Sequence, residues 1–338
     1  MTVLAFLGVL SLWTGGPHAL EAPRLVRSIE LPGVEGRLDH LALDERRGRL
    51  FVAALASGSA EVVDLGKGAV VRSLAGLSRP QGTLFLPEAD RLLVSSGGDG
   101  RLTVFDGGSL ERVAEVQVGL DADELRFDAK RGLVVVGQGQ GGLTFVDSKE
   151  WKVVGEVRLP GHPESFQIDP EGLRAWVNVP SQRIIALVDL EERAVAATWP
   201  LEGASANFPM ALAPDSGRLF VGCRTPPALL LVDAASGKSE IAGELSSGAD
   251  GLFVTPDGAR ALVTSGAGFL EVFERGADGA YALALRMPTA EGARTGILTA
   301  DGKRLYLAVP HRGDQRAEVR EYDLAGGEDS FGGNQRSE

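Results

Sequence analysis

Short apolar runs separated by polar turns fill the chain between residues 24 and 324. The runs are rich in Val, Leu, Ile and Phe, and Gly, Asp and Pro gather between them, which is the pattern of β-strands and tight turns. No long stretch repeats its apolar residues at the helical spacing of about 3.6. The pattern therefore predicts an all-β protein.

A longer period groups these strands into units of four, as in residues 164–168, 174–179, 184–190 and 194–201. An acidic residue ends the third strand of each unit, at intervals of 41 to 49 residues: Asp64, Asp106, Asp147, Asp189, Asp233, Glu274 and Asp323. We interpret the first five as structural turn residues. Four-stranded units of about 40 residues are typical of β-propellers, and seven units predict a seven-bladed β-propeller.

The last unit, residues 290–324, supplies only three strands. Its missing outer strand is predicted at the other end of the chain. RLVRSIELPG at residues 24–33 closely resembles KVVGEVRLPG at residues 152–161, the fourth strand of unit three. We therefore expect the propeller to span residues 24–324, with the N-terminal strand completing the last blade and removing the exposed edges of an open ring.

The two ends of the chain lie outside these repeats. Residues 1–22 contain an apolar run, Val3 to Trp13, that is too short to span a membrane and predicts a secretion signal. No Lys or Arg precedes the run, which leaves open that the chain begins inside a longer signal. The tail, residues 325–338, is polar and glycine-rich and is predicted to be disordered. We expect an exported protein, periplasmic or extracellular.

Composition narrows the range of partners. The formal net charge of −12 argues against binding nucleic acid, whose phosphates require a basic surface. No segment after the signal is long and apolar enough to predict a transmembrane span. Cys223 is the only cysteine, so no disulfide forms within the chain. We expect a monomer with an unknown small molecule or protein as its partner.

Aligning the units places one residue per blade at the start of each innermost strand, on one rim of the central channel. We call this rim the channel mouth, and its positions are Asp39, Gln81, Asp123, Glu164, Phe208, Asp250 and Arg294. With their neighbours, they give these predicted ligand-binding residues: Asp39, His40, Asp123, His162, Glu164, Asn207, Arg224, Asp250, Arg294 and His311.

These residue types predict a polar, mainly acidic site. The carboxylates would bind a cation or hydroxyl groups, and Arg224 and Arg294 would bind a carboxylate on the ligand. The alternative is that each Asp or Glu accepts backbone N–H bonds and only shapes its own turn. For the rim as a whole we favour binding, because loops on a rigid scaffold are where sites usually lie.

The repeats resemble the YVTN or YncE-like family of secreted bacterial seven-bladed propellers. The phrases that carry the resemblance include RLFVAALASGSAEVVDL, RLLVSSGGDGRLTVFDG and RLFVGCRTPPALLLVDA, and it covers residues 24–324. Several others, among them GHPESFQID and NFPMALAP, are similar to one subgroup of that family, which has no firmly assigned activity. The resemblance thus implies a fold but not a function.

Related propellers include gluconolactonase-type enzymes, which hold a divalent metal at the channel mouth with Glu, Asn and Asp. That resemblance implies Glu164, Asn207 and Asp250 as possible metal ligands here, in a metal-dependent lactonase-like hydrolase with His162 or Asp123 as base. Three hypotheses therefore remain open: a non-catalytic binding propeller, which we favour, this hydrolase with a divalent cation, and a purely structural protein.

Overall fold

Each sequence unit forms a four-stranded antiparallel sheet, and the seven sheets are the blades of a β-propeller around a central channel. This computed structural model describes residues 22–214 and 217–325. The predicted signal, residues 1–22, lies outside the described residues except for Ala22. The predicted disordered tail, residues 325–338, lies outside them except for Ala325.

The first strand is β1, Arg24–Glu30. Blade one contains β2 Leu38–Asp44, β3 Arg49–Ala54, β4 Ser59–Asp64 and β5 Ala69–Ala75. Blade two contains β6 Pro80–Leu86, β7 Arg91–Ser96, β8 Arg101–Asp106 and β9 Arg112–Gln117. Blade three contains β10 Ala122–Asp128, β11 Leu133–Gln138, β12 Gly142–Asp147 and β13 Lys152–Arg158.

Blade four contains β14 Phe166–Ile168, β15 Arg174–Val179, β16 Ile184–Asp189 and β17 Ala194–Pro200, with a 3-10 turn at Pro180–Gln182. Blade five contains β18 Ser205–Leu212, β19 Arg218–Thr225, β20 Pro227–Asp233 and β21 Ser239–Glu244. Blade six contains β22 Ala249–Val254, β23 Arg260–Ser265, β24 Phe269–Arg275 and β25 Tyr281–Pro288. Blade seven contains β26 Gly296–Leu298, β27 Arg304–Val309 and β28 Glu318–Asp323.

The N-terminal strand closes the ring as predicted. The sheet of blade seven has the order β1-β28-β27-β26, so its outer strand comes from the opposite end of the described chain. Ile29 of β1 pairs with Val319 of β28 in antiparallel register, and Arg24 forms an ion pair with Asp323 at 3.2 Å. The two ends of the propeller are thereby joined within one sheet.

Apolar residues fill the spaces between neighbouring blades. One core cluster, for example, joins Val135 and Phe145 of blade three to Phe166 and Val177 of blade four. The middle strands are buried on both faces because each sheet packs between two others, and β11 is buried at every position. The outer strands face solvent on one side, so β17 alternates between exposed and half-buried residues.

Among the described residues, no helix is long and apolar enough to cross a membrane.

Candidate functional site at the channel mouth

The starts of the innermost strands surround a cavity of about 340 Å³. All seven blades contribute to its wall, through residues 40–43, 82–85, 123–126, 163–165, 208–210, 250–253 and 295–297. Charged Asp123, Glu164 and Asp250 line it at the channel mouth, and apolar residues such as Leu125 and Leu252 follow them along the strands. The site thus combines a charged opening with a more apolar interior.

A shared turn leads into this cavity. A residue with left-handed backbone lies two positions before the mouth residue in five blades, with φ between 53° and 78°: Arg79, Asp121, Ala206, Gly248 and Gly292.

Neighbouring blades also approach closely at the channel mouth. A Cβ at Gly82 would clash with the backbone oxygen of Asp123, and the Ser95 hydroxyl donates a hydrogen bond to that oxygen. Blade two therefore fixes the backbone from which the Asp123 side chain projects.

His40 lies between two carboxylates. Its Nε2 is 3.7 Å from an oxygen of Asp123 and 4.0 Å from an oxygen of Asp39. Burial opposes charge on the imidazole, but the fields of Asp39 and Asp123 outweigh it, so the pKa of His40 is raised. Burial, reinforced by repulsion from Asp123, also raises the pKa of Asp39, although Arg37 lies 2.7 Å from it. His40 and Arg37 thus balance the acids on the blade-one side.

His162 and Glu164 lie on the loop before β14 of blade four, beside Asp123 of blade three. The His162 Nε2 is 3.7 Å from a Glu164 oxygen, and one ligand atom each from Asp123, His162 and Glu164 lie within 4.8 Å of one another. The other ring nitrogen of His162, Nδ1, is 3.8 Å from a carboxylate oxygen of Asp121. These four side chains form one cluster, which we call the Asp–His–Glu cluster.

Burial and repulsion between like charges disfavour ionisation of the Asp123 and Glu164 carboxyl groups in this cluster. Burial raises the pKa of Glu164 to about 8, and repulsion from Asp123 and Asp250 adds to the effect, while Arg224 opposes it. Burial likewise raises the pKa of Asp123, which His40 partly offsets. A cation bound here would stabilise the charged form of both carboxyl groups.

The opposite side of the channel mouth is already charge-balanced. Asp250 accepts Arg224 at 2.5 Å through one oxygen and lies 2.8 Å from Arg294 through the other. The Arg224 guanidinium also lies 3.4 Å from the centre of the Phe208 ring, a close cation–π contact. Desolvation lowers the pKa of Arg224. The two arginines predicted to bind a ligand carboxylate are therefore engaged by a carboxylate of the protein itself.

Four of the ten predicted site residues line the cavity: His40, Asp123, Glu164 and Asp250. Four more contact these, Asp39, His162, Arg224 and Arg294, whereas Asn207 and His311 make other contacts. Asn207 is 0% exposed, and its amide nitrogen donates to Asn178 Oδ1 and to the backbone oxygen of Ile184, because the next residue, Phe208, occupies the lining position. His311 instead pairs with exposed Glu35 at 2.8 Å. Of the possible metal ligands Glu164, Asn207 and Asp250, Asp250 is held by two arginines. Asn207 does not line the cavity, and its Oδ1 is buried without a hydrogen-bond partner among the described residues.

Sequence reasoning missed Asp121 and Arg37, each two positions before a mouth residue. Only the mouth position itself was compared between units. The sequence contains the signal, because the same offset in blade four gives His162, a predicted site residue. Extending the comparison by two residues would have placed Asp121 and His162 on adjacent blades of the same rim.

No family model matches the chain, and no curated protein matches it in sequence. Solved structures match it in shape. A chain of Kuenenia stuttgartiensis hydrazine synthase has a TM-score of 0.75 at 17% identity, covering 86% of this chain and 98% of that chain. A chain of the mitotic checkpoint complex has a TM-score of 0.74 at 17% identity, covering 96% and 98%. At such identity the likeness concerns the fold alone, and that fold is the seven-bladed β-propeller.

Proposed function

We propose that this protein is a non-catalytic binding protein whose channel mouth binds a small cationic ligand. One observation carries the proposal. Asp123 and Glu164 lie side by side in the wall of the cavity, and within residues 22–214 and 217–325 neither carboxylate pairs with a lysine or an arginine. Both side chains are half-buried, and carboxylates withdrawn from water are normally paired with a cation, so the pair is a candidate cation site.

The other two mouth carboxylates, Asp39 and Asp250, have arginine partners. Asp250 is matched by Arg224 and Arg294, and Asp39 lies against Arg37. Asp123 and Glu164 are therefore the two mouth carboxyl groups without an arginine partner among the described residues. A cavity of about 340 Å³ is at the small end of known ligand pockets, which favours a small ligand over a peptide.

The lactonase-like alternative has weaker support. Its ligand set needs Asp250 free to coordinate a metal, but both oxygens of Asp250 contact arginines, and Asn207 does not line the cavity. A protein partner on the rim would not account for carboxylates that lie inside the cavity. Binding of a cation is the function that these contacts support best.

The test is calorimetry on the full chain with putrescine, choline, Zn²⁺, Mn²⁺ and Ca²⁺ as probes. We expect one of these cations to bind with one-to-one stoichiometry and Glu164→Gln to weaken it strongly. Glu291→Gln is the matched control, because Glu291 is an exposed carboxylate paired with Arg312 outside the cavity. If no cation binds, or if both variants behave alike, the proposal is wrong.

We also propose, from the sequence phrases quoted above, that the chain is an exported YVTN or YncE-like repeat protein. The run from Val3 to Trp13 supports export. A fusion of residues 1–22 to a reporter that is active only outside the bacterial cytoplasm tests this. We expect activity, and a fusion in which Leu7 and Leu10 are both changed to Arg should abolish it. Equal activity of the two fusions would contradict export through this segment.

A further inference from the structure

The Asp–His–Glu cluster has the composition and spacing of a metal site. Its ligand atoms come from two blades and lie within 4.8 Å of one another, with 3.7 Å between His162 Nε2 and Glu164. Ligands bound to zinc at about 2.0–2.2 Å lie roughly 3.3–3.6 Å apart in a tetrahedron. Side-chain shifts of about 1 Å would therefore complete the coordination.

Asp121 provides a second, independent indication. A histidine that binds a metal through one ring nitrogen usually donates its other N–H to a carboxylate, which fixes the tautomer and the ring orientation. His162 has Nε2 3.7 Å from Glu164 and Nδ1 3.8 Å from Asp121, both beyond hydrogen-bond length. A shift of about 1 Å would let Asp121 accept the Nδ1–H.

Asp123 adds a third observation. Its Oδ1 is buried and accepts no hydrogen bond from any residue that the structure describes. The nearest positive group, His40 Nε2, is 3.7 Å away, beyond hydrogen-bond length. A buried carboxylate oxygen without a donor is costly, and a cation bound to the Asp123 carboxylate would offset that cost.

We infer that the cation of the channel mouth is a first-row divalent transition metal bound by Asp123, His162 and Glu164, with Asp121 as the positioning residue for His162. This inference rests on the proposed function and names its ligand class. An imidazole with two carboxylates suits zinc, manganese, iron or cobalt, whereas calcium and magnesium prefer all-oxygen sites. Three protein ligands leave at least one coordination position free for water or another ligand.

The test uses the full chain, stripped of metal with a chelator, and titrates Zn²⁺, Mn²⁺ and Ca²⁺ by calorimetry. We expect one equivalent of Zn²⁺ or Mn²⁺ to bind more tightly than Ca²⁺, and Asp123→Asn and His162→Ala to abolish this binding. Asp121→Asn should weaken affinity about 10- to 100-fold while keeping one-to-one stoichiometry. The visible spectrum of the Co²⁺-loaded protein should change in Asp121→Asn, because the ligand field depends on the orientation of His162.

His311→Ala is the matched control, since His311 also pairs with a carboxylate but has no third donor in its cluster. Thermal unfolding of each variant separates lost metal binding from lost folding. Glu164→Gln tests the third ligand with a conservative change and should also abolish metal binding. Loss of binding in His40→Ala but not in His162→Ala would overturn the inference in favour of the blade-one side.

The two proposals fail differently. If putrescine or choline binds and Glu164→Gln weakens it, while no transition metal binds, the metal inference is wrong and the binding function stands. If neither an organic cation nor a metal binds, both are wrong. Tight Ca²⁺ binding with none of Zn²⁺, Mn²⁺ or Co²⁺ would also overturn the inference, because it would show a site that does not use the imidazole.

Discussion

Aspartate has opposite electrostatic roles at the two ends of the blades. At the strand-ending turns, Asp106 Oδ1 accepts the backbone N–H of Ser109 at 2.9 Å, and this bond lowers the pKa of Asp106. At the channel mouth, burial raises the pKa of Asp39. The turn aspartates are therefore stabilised as anions, whereas Asp39, Asp123 and Glu164 at the mouth are destabilised as anions. The first group supports the fold, and the second is suited to binding a cation.

Acid stability tests the turn aspartates. Backbone N–H bonds lower the pKa of Asp64, Asp106 and Asp147 in the folded protein. Because the unfolded-state pKa is higher, about 3.9, each contributes stability above that pH and loses it as the pH falls through the lower folded value. The triple variant with Asn at these positions should therefore show a shallower fall of the unfolding temperature between about pH 5 and pH 2 than the parent protein.

Glu88→Gln is the control for this measurement, because Glu88 is exposed and makes no hydrogen bond or ion pair within the described chain. Its curve should follow the parent curve. Parallel curves for the parent and the triple variant would show that these turns do not contribute to acid sensitivity. Asn can still accept the turn N–H bonds, so the comparison isolates the charge.

Single residues also show which features of the site could be predicted from the sequence and which could not. Asp123, Glu164 and Asp250 could be placed at one rim, because the repeat period alone brings equivalent positions together. Their ion-pair partners could not be predicted. Whether Arg224 faces a ligand or Asp250 depends on side-chain direction, and a one-residue offset was enough to bury Asn207 while Phe208 lines the cavity.

At the scale of the strand, β1 is the element on which ring closure depends. It is an outer strand, so most of its residues face solvent, yet Ile29 is only 1% exposed and packs in a core cluster with Val319. The sequence predicted this pairing from the similarity of β1 to β13, because both are outer strands with the same requirement for one buried apolar residue near the end.

Substitutions within β1 test that requirement. Ile29→Ala should destabilise the protein by about 2–5 kcal/mol, the range for truncating a buried aliphatic side chain. Val26→Ala, on the same strand but 41% exposed, should change stability by less than about 0.5 kcal/mol. Urea unfolding measures both. Equal effects would mean that β1 does not hold its place through the buried face, contrary to the packing described here.

At the scale of the whole molecule, the seven blades were predictable because a strong period fixes the number of sheets and leaves one missing strand. The balance of charge at the channel mouth could not be predicted in this way. A net charge of −12 and acidic mouth positions predicted a mainly acidic rim, whereas Arg37, Arg224 and Arg294 come from three blades to offset half of it. Global charge does not determine which groups meet across a ring.

Closure by β1 also means that the ring cannot close until β28, its partner strand, has been synthesised. Arg24 and Asp323, which pair in the finished blade, are 299 residues apart in the chain. A ribosome adding about 5–20 residues per second needs roughly 15–60 s to make that stretch. During this interval blades one to six can form in order, but β1 has no partner strand and blade one lacks its neighbour on one side. The first strand of the propeller to be synthesised is thus the last to be paired, and the ring closes only when synthesis of the propeller is complete.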